Sequence, residues 1–440
     1  MRAMLTGQGG HHRPLPAMEW RQASVFAKTG FQLFLIVQTI GKRQDRQKDF
    51  MMRKQVVIIG AGPAGLLLGR LLDLAGIDNI VLERASQDYV LARIRAGILE
   101  QTTVDLIHRA KAGDRLAVEG IPHHALQLAF DYKSIAVGLS EHTNGKVVTA
   151  YGQTEVTRDL CEARDAAGSD TVYEVENVQL HDFDTARPRV TYEKDGLTHH
   201  IDCDLIAGCD GYHGVSRKSV PEKSITTYEK IYPFGWLGLL SDTTPVADEV
   251  VYANTERGFA LCSMRSMTRS RYYIQCDVDD KVENWSDDAF WDEFRRRLPP
   301  EMAEALETGP SIEKSIAPLR SFVTEPMRFG RLMLAGDAAH VVPPTGAKGL
   351  NLAASDIYYL FDAIEQFYAD SDERALDEYS RRALDRVWKT ERFSWWLTNL
   401  THRFNDDPFE QRMKEAELSY ITTSDVGRQM LAENYVGLPL

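Results

Sequence analysis

Val56-Val57-Ile58-Ile59-Gly60-Ala61-Gly62-Pro63-Ala64-Gly65-Leu66-Leu67-Leu68-Gly69-Arg70-Leu71-Leu72 decides the fold class. Four β-rich apolar residues read as a buried strand, and the leucine-rich run after the glycines reads as a helix. Between them, each glycine of the Gly-x-Gly-x-x-Gly turn has its own task. Gly60 permits the tight turn, Gly62 lets backbone approach a pyrophosphate, and Gly65 lets helix pack on strand. The helix start then offers its unpaired N–H groups to phosphate oxygens. A second apolar strand, Asn79-Ile80-Val81-Leu82, ends in Glu83, 18 residues after Gly65. A carboxylate there can accept hydrogen bonds from ribose hydroxyls. The unit predicts a dinucleotide in a Rossmann-like α/β layer.

The chain carries one such fingerprint, so either one dinucleotide is used or a second binds without its own fold. Two later stretches also end in carboxylates. They are Asp204-Leu205-Ile206-Ala207-Gly208-Cys209-Asp210-Gly211, followed by His213, Ser216 and Arg217, and Arg331-Leu332-Met333-Leu334-Ala335-Gly336-Asp337-Ala338-Ala339-His340. Each reads as a strand running into a turn, the second before a helix. Each sets an Asp beside glycine, where a cofactor hydroxyl could meet it.

Length and charge bound the rest. With 440 residues, 43% of them hydrophobic, the chain can build two or three domains with their own cores. Its 51 Lys and Arg against 64 Asp and Glu leave a formal charge of −13. That balance argues against nucleic acid or an anionic membrane as a partner. Any anion site must therefore come from a few locally placed cations. Five cysteines without a C-x-x-C suggest neither a disulfide framework nor a zinc ribbon, and the reduced cytoplasm fits best. No apolar run is long enough for a transmembrane helix. Residues 1–51 look unlike the rest and read as an upstream extension or a mis-set start, with an export signal as the other reading.

Residues 249–277 read as three antiparallel strands: Glu249 to Ala253, Phe259 to Arg265 and Arg271 to Asp277. A polar loop, Ser266 to Ser270, joins the last two. A hairpin symmetric about residue 268 sets Ser263 opposite Tyr273 and Arg265 opposite Arg271. Alternation then puts all four on one face. Facing arginines repel, so either a bound anion or nearby Asp and Glu must resolve the conflict.

In their order, the three carboxylate-bearing stretches resemble the FAD-dependent aromatic hydroxylases, the single-component flavoprotein monooxygenases. Further stretches narrow the resemblance to the branch acting on 4-hydroxybenzoate. They are Arg93-Ile94-Arg95-Ala96-Gly97, Tyr151 to Arg158, Tyr232 to Gly238, Pro343 to Asn351, and Glu433-Asn434-Tyr435-Val436-Gly437-Leu438-Pro439. The resemblance runs from about Met52 to Leu440. It implies hydroxylation to 3,4-dihydroxybenzoate with FAD, O2 and NADPH (NADH possible), through a C4a-hydroperoxyflavin and with no metal. Another hydroxybenzoate, or a flavin protein without hydroxylase activity, are the alternatives.

The resemblance also implies roles for residues. FAD would be held by Gly60, Gly62, Ala64, Gly65, Glu83, Arg93, Ile94, Arg95, Ala96, Gly97, Ile98, Gln153, Asp210, Asp337, Leu350 and Asn351. Of these, Glu83 would take the adenosine ribose, Asp337 the ribityl chain, and Asn351 with the Leu350 backbone the flavin ring. Asp210 sits in a motif shared by FAD and NAD(P)H. Arg84, Tyr89, His213, Arg217 and Arg320 would meet NADPH. Ser263, Met264, Arg265 and Tyr273 would form the substrate-carboxylate end, with Arg265 as its bidentate partner. Tyr252 would bond the substrate phenol and Tyr435 would bond Tyr252, in a proton chain leading toward His123 near the surface. Pro344 would touch the phenol through its carbonyl, and Arg271 would support flavin positioning. Ala64 stands where some relatives carry Ser, and Ala85 where Gln is expected.

On this reading the chain divides into an N-terminal extension (1–51), an FAD-binding domain (52–226) and a β-rich substrate-binding domain (227–341). A helical C-terminal region (342–440) completes the flavin site. Ser286 reads as a helix N-cap with Asp287 and Asp288 in the first turn. Trp395-Trp396 reads as core or subunit interface in a homodimer.

Overall fold

The apolar run at Val56–Ile59 is fully buried: parallel strands lie on both of its edges, and it shares one core with the helix Pro63–Leu74 and with Leu180, Val190 and Ile201 of a four-stranded sheet. The computed structural model describes residues 50–92 and 97–440, and of Phe50 and Met51 only the backbone. Residues 51–440 form one unit. Its first layer is a six-stranded sheet in the order Arg328–Phe329, Leu332–Leu334, Leu205–Gly208, Val56–Ile59, Asn79–Leu82, Asp170–Val172. All neighbours are parallel except the edge pair at Arg328–Phe329. The helix Pro63–Leu74 buries Leu66, Leu67, Leu68, Leu71 and Leu72 in the same core.

The glycine turn is as tight as the sequence requires. Gly60 adopts φ +104°, a left-handed conformation that costs glycine little. A Cβ on Gly65 would lie 2.0 Å from the Gly60 carbonyl oxygen, so helix and strand touch through bare backbone.

The second layer is an eight-stranded sheet: His340–Val341, Ser311–Glu325, Thr226–Ser241, Arg269–Asp277, Gly258–Ser266, Val251–Thr255, Ala125–Phe130, Lys133–Gly138. Side chains alternate between two cores. Leu237, Leu239, Ala253, Cys262, Tyr272 and Ile274 pack on Phe290, Trp291 and Phe294 of the helix Asp287–Arg295. That helix is N-capped by the Ser286 side chain, as the sequence suggests. On the other face Trp236, Tyr252, Leu261 and Tyr273 join Phe393, Leu397, Ile421 and Tyr435. Three helices carry this second set, Arg374–Thr401, Pro408–Thr423 and Asp425–Val436, while the helix Gly349–Asp370 packs in the first core. Trp395 is exposed, whereas Trp396 is half-buried against Phe393. No helix among the described residues is long and apolar enough to cross a membrane.

Three expectations change. The sheets cut across the sequence-drawn boundaries: residues 125–138 join the eight-stranded sheet, while residues 328–334 join the six-stranded one. The hairpin is tighter than its polar loop suggests, with strands reaching Ser266 and starting again at Arg269. Its register therefore centres on residue 267, so Ser263 faces Arg271 and Leu261 faces Tyr273. Arg265 sits in a bulge between the Met264 and Ser266 pairs. Finally, Asp337 lies in a short 3-10 turn followed by the strand His340–Val341, and the next helix waits until Gly349.

The Gly65 contact generates a test. Gly65→Ala forces a methyl into the Gly60 carbonyl and should destabilise the protein by about 1–3 kcal/mol. The urea midpoint measures this, and an unchanged midpoint would show that the turn can relax.

Candidate active site

The bulge in the hairpin gives Arg265 its environment. Leu261, Tyr273 and Gly238 line up across neighbouring strands with Tyr252, and Ser263 pairs with Arg271 one row further along. A Cβ on Gly238 would lie 2.7 Å from the Tyr273 ring and 2.9 Å from the Arg271 guanidinium, so the missing side chain makes room for both. Arg271 is claimed by the protein: Nη1 lies 2.5 Å from Glu313 Oε2 and Nη2 donates to Ser315 Oγ at 3.2 Å. Burial opposes its charge, yet Tyr273 and Glu313 together hold its pKa above the ordinary value.

Arg265 has no such partner. Among the described residues no carboxylate pairs with it, and its Nε is buried without a hydrogen bond. Burial pushes its pKa down and Arg271 adds to the push, while the Tyr273 hydroxyl partly offsets both. The predicted conflict of two arginines is thus settled for Arg271 by Glu313 and left open at Arg265. Ser263 is buried beside it. Met264 is buried too, but alternation turns its side chain to the opposite face.

The tyrosine pair is assembled across 183 positions of chain: the Tyr252 and Tyr435 hydroxyls lie 3.1 Å apart. The backbone N–H of Gly346 donates to the Tyr252 oxygen at 3.2 Å. Burial raises the pKa of Tyr252 to about 12 and that of Tyr435 well above its ordinary value, so both stay protonated at neutral pH. Pro344 sits at the start of the same loop, exposed, with its carbonyl accepting the Ala347 N–H at 2.9 Å. One carbonyl lone pair therefore remains for a ligand.

His123 departs from expectation. It is 1% exposed on the short strand Ile121–His123, not in a surface loop. Its Nδ1 lies 3.2 Å from Glu249 Oε2, without hydrogen-bond alignment. Burial lowers the His123 pKa to about 4 and raises that of Glu249. Glu249 also acts electrostatically on Tyr435. It is a member of this chain of groups that the sequence reading did not single out.

The dinucleotide cradle fits FAD on its backbone. The helices starting at Pro63, Gln153 and Gly349 all lack a side-chain N-cap, leaving N–H groups for a ligand. A Cβ on Gly62 would meet nothing within 4 Å, so the approach to the first helix is open. A Cβ on Gly336 would lie 3.3 Å from Ala353 and 3.6 Å from Ala64, which puts exposed Asp337 where two of these helix starts converge. Asp356 builds that corner by accepting from Gly336 N at 2.8 Å and His340 Nε2 at 2.6 Å. Gly97 passes the backbone of Gly152 closely, so Gly97 and Ile98 adjoin the helix begun by Gln153.

Three carboxylate or amide roles look different in three dimensions. Glu83 directly follows the strand Asn79–Leu82 and already accepts from Ala61 N at 2.8 Å and Ala85 N at 2.9 Å. Asp210 turns inward: Oδ2 accepts the Ser216 N–H at 2.8 Å, and burial raises its pKa. The Asn351 side chain is fully used. It accepts from Glu100 N and Thr103 Oγ1 and donates to Ile98 O and Ala347 O. Only the backbone N–H groups of Leu350 and Asn351, at the helix start, remain for a flavin ring. Arg93, Ile94, Arg95 and Ala96 lie outside the described residues.

The candidate nicotinamide-cofactor cations fall in two places. Arg217 donates to Ala338 O at 2.8 Å and Tyr212 O at 2.5 Å, and no carboxylate pairs with it among the described residues. Tyr212 lies between Arg217 and Arg320, 4.8 and 4.6 Å from its ring centroid, and His213 packs edge-on to it. Arg320 also pairs with Glu229 at 3.1 Å. Arg84 and Tyr89 are exposed, just beyond the strand that ends before Glu83.

A family model described as an FAD binding domain matches residues 53–394. The p-hydroxybenzoate hydroxylase of Acinetobacter baylyi is 61% identical over 389 residues, covering 88% of this chain and 96% of the relative. The 6-hydroxy-3-succinoylpyridine 3-monooxygenase HspB of Pseudomonas putida is 27% identical, covering 80% and 90%. Among solved structures, the p-nitrophenol 4-monooxygenase PnpA of Pseudomonas putida superposes with a TM-score of 0.75 at 17% identity, covering 89% of this chain and all of that one.

The buried His123 sets a pH dependence. Folded it titrates near 4, unfolded near about 6.5, so between those values the unfolded chain binds more protons. Stability should therefore fall as pH drops through that window. His123→Gln should flatten the slope by up to about 1.4 kcal/mol per pH unit, read by urea unfolding from about pH 6.5 to 5. An unchanged slope would mean that this histidine is not held neutral.

Proposed function

Because this chain belongs to the FAD-dependent aromatic hydroxylases, we propose that it hydroxylates 4-hydroxybenzoate to 3,4-dihydroxybenzoate with NADPH and O2. One observation carries the choice of substrate. Tyr252 and Tyr273 share one sheet face, where Tyr273 bonds Arg265, a guanidinium that pairs with no carboxylate among the described residues, and where Tyr252 meets the Tyr435 hydroxyl from the helix above. A flat ring with a carboxylate at one end and a phenol at the other matches that pairing. Bound FAD supplies hydride acceptance from the nicotinamide and activation of O2.

The residues of the chain do the rest. Arg265 grips the carboxylate with its planar fork, and Ser263 and Tyr273 add hydroxyl donors. Arg271, tied to Glu313, keeps Tyr273 in place without competing for the anion. At the other end the Tyr252 oxygen uses one lone pair for the Gly346 N–H. Its second can accept the substrate's phenol proton while its own proton passes to Tyr435. An ordinary phenol ionises near about 10, so this help makes the ring electron-rich when oxygen is transferred. The two tyrosines resist ionisation themselves, so they hand the proton onward toward Glu249 and His123.

NADPH as reductant is supported by Arg217, which donates to two backbone carbonyls and pairs with no carboxylate among the described residues, and by exposed Arg84 and Tyr89 beside the ribose-binding acid. The five unpaired, buried cysteines fit a reducing cytoplasm. A homodimer is supported by the exposed rings of Tyr228, Trp388 and Trp395.

Substrate-stimulated NADPH oxidation across a panel of hydroxybenzoates tests the reading. The 4-isomer should give the largest stimulation together with hydroxylated product, and indifference to every phenolic acid would refute it. Arg265→Lys keeps the charge but loses the fork. Substrate affinity should fall by about 1–3 kcal/mol with FAD content unchanged, as ligand titration of the flavin spectrum would show. Tyr252→Phe should bind FAD and substrate yet release more H2O2 per NADPH consumed. Full coupling in that variant would leave Tyr252 a packing residue.

A further inference from the structure

We infer that Arg386 is a positioning residue for the tyrosine pair: it locks the segment Tyr435–Pro439 onto Glu100 and so keeps the Tyr435 hydroxyl on Tyr252. The inference rests on the reading of that pair as the substrate's proton path. Tyr435 lies in the last turn of the helix Asp425–Val436, where backbone carbonyls have no partner within the helix. Here the partners are charged side chains from elsewhere. Lys348 Nζ donates to Tyr435 O at 2.7 Å. Arg386 Nη1 donates to Leu438 O and, at 3.3 Å, to Pro439 O.

Both cations converge on one buried carboxylate. Glu100 Oε1 lies 2.6 Å from Lys348 Nζ, and Oε2 lies 2.9 Å from Arg386 Nη2. The segment wraps this carboxylate closely: Gly437 has φ +97°, and a Cβ there would lie 2.1 Å from Glu100 Oε2. Only glycine turns here, so the path of the chain past Tyr435 is set by the Glu100–Arg386 contact. None of the hydrogen bonds of Arg386 involves Arg265, Ser263, Tyr273 or Tyr252. Its effect on the phenol's proton path therefore travels through Tyr435, while its bond to Glu100 also reaches the helix start at Gly349 through Lys348 and Asn351. Without Arg386 the Leu438 and Pro439 carbonyls lose their donor, the last helical turn loosens, and the 3.1 Å contact between hydroxyls is no longer enforced.

The test uses the FAD-loaded enzyme with bound 4-hydroxybenzoate and follows ionisation of its phenol by phenolate absorbance against pH. Tyr435→Phe should raise the midpoint by about one pH unit, tenfold in the phenolate-to-phenol ratio. Arg386→Met should raise it similarly and lower product per NADPH, Arg386→Lys should do so less, and the double variant should match Tyr435→Phe alone. A wild-type midpoint in Arg386→Met, or a double variant in which the two shifts add, overturns the inference while leaving the tyrosine path intact. A wild-type midpoint in Tyr435→Phe overturns both. If Arg386→Met fails to retain flavin, Arg386→Lys decides: a smaller shift in the same direction supports the role, and no shift overturns it.

Discussion

A guanidinium held at a buried sheet face and paired with no carboxylate among the described residues is the constraint around which this molecule is arranged. Arginine cannot shed its charge to escape burial, so Arg265 keeps a positive charge that the fold declines to neutralise. The surrounding groups make the choice visible. Glu313 pairs with Arg271 at 2.5 Å and acts on Arg265 only through space, while Arg271 presses on Arg265 as a like charge. Such a site is strained until an anion arrives, and that strain becomes binding energy for a carboxylate. The net charge of −13 sharpens the point, since the site must attract an anion against the field of the whole chain.

The far end of the site depends on a second buried charge set. Glu100 ends the strand Ile98–Glu100, and Asn351 staples that strand to the helix begun at Gly349 through Ile98 O and Glu100 N. The Glu100 carboxylate reaches Lys348 and Arg386. One short segment thus links the helix start that would face a flavin ring with the chain that carries Tyr435. Cofactor position and proton path are coupled through covalent and ionic contacts within a few residues of each other.

Local chemistry was legible in the sequence and long-range partnership was not. The run from Val56 to Glu83 specifies strand, turn, helix and strand through neighbours alone, and the structure follows it closely. The hairpin's loop, read as Ser266 to Ser270, is one residue too generous at its start and two at its end. A tighter turn shifted the register while preserving side-chain alternation, so Arg271 stayed on the same face and gained Ser263 as its opposite number. Arg271 and Glu313 are 42 positions apart, and Tyr252 and Tyr435 are 183 apart. No periodicity pairs such residues, so Tyr252 and Tyr435 were named only through the family resemblance, Glu249 only as the start of a strand, and Glu313 and Arg386 not at all. His123, set near the surface by the resemblance, is instead buried, on the edge strand of the three-stranded sheet Ile98–Glu100, Val148–Ala150, Ile121–His123. Asn351 misled in another way. An amide at a helix start is a natural ligand donor, but here tertiary partners consume all four of its hydrogen bonds.

The uncompensated Arg265 charge can be weighed directly by comparing two ligands of nearly equal shape. Binding of 4-hydroxybenzoate and of its neutral amide, 4-hydroxybenzamide, to the FAD-loaded protein can be followed through the flavin spectrum. A charge-assisted bond to a buried arginine is worth about 1.5–3 kcal/mol, so the carboxylate should bind roughly tenfold to a hundredfold more tightly. Equal affinities for the two would contradict the account, because they would mean that Arg265 is not waiting for an anion.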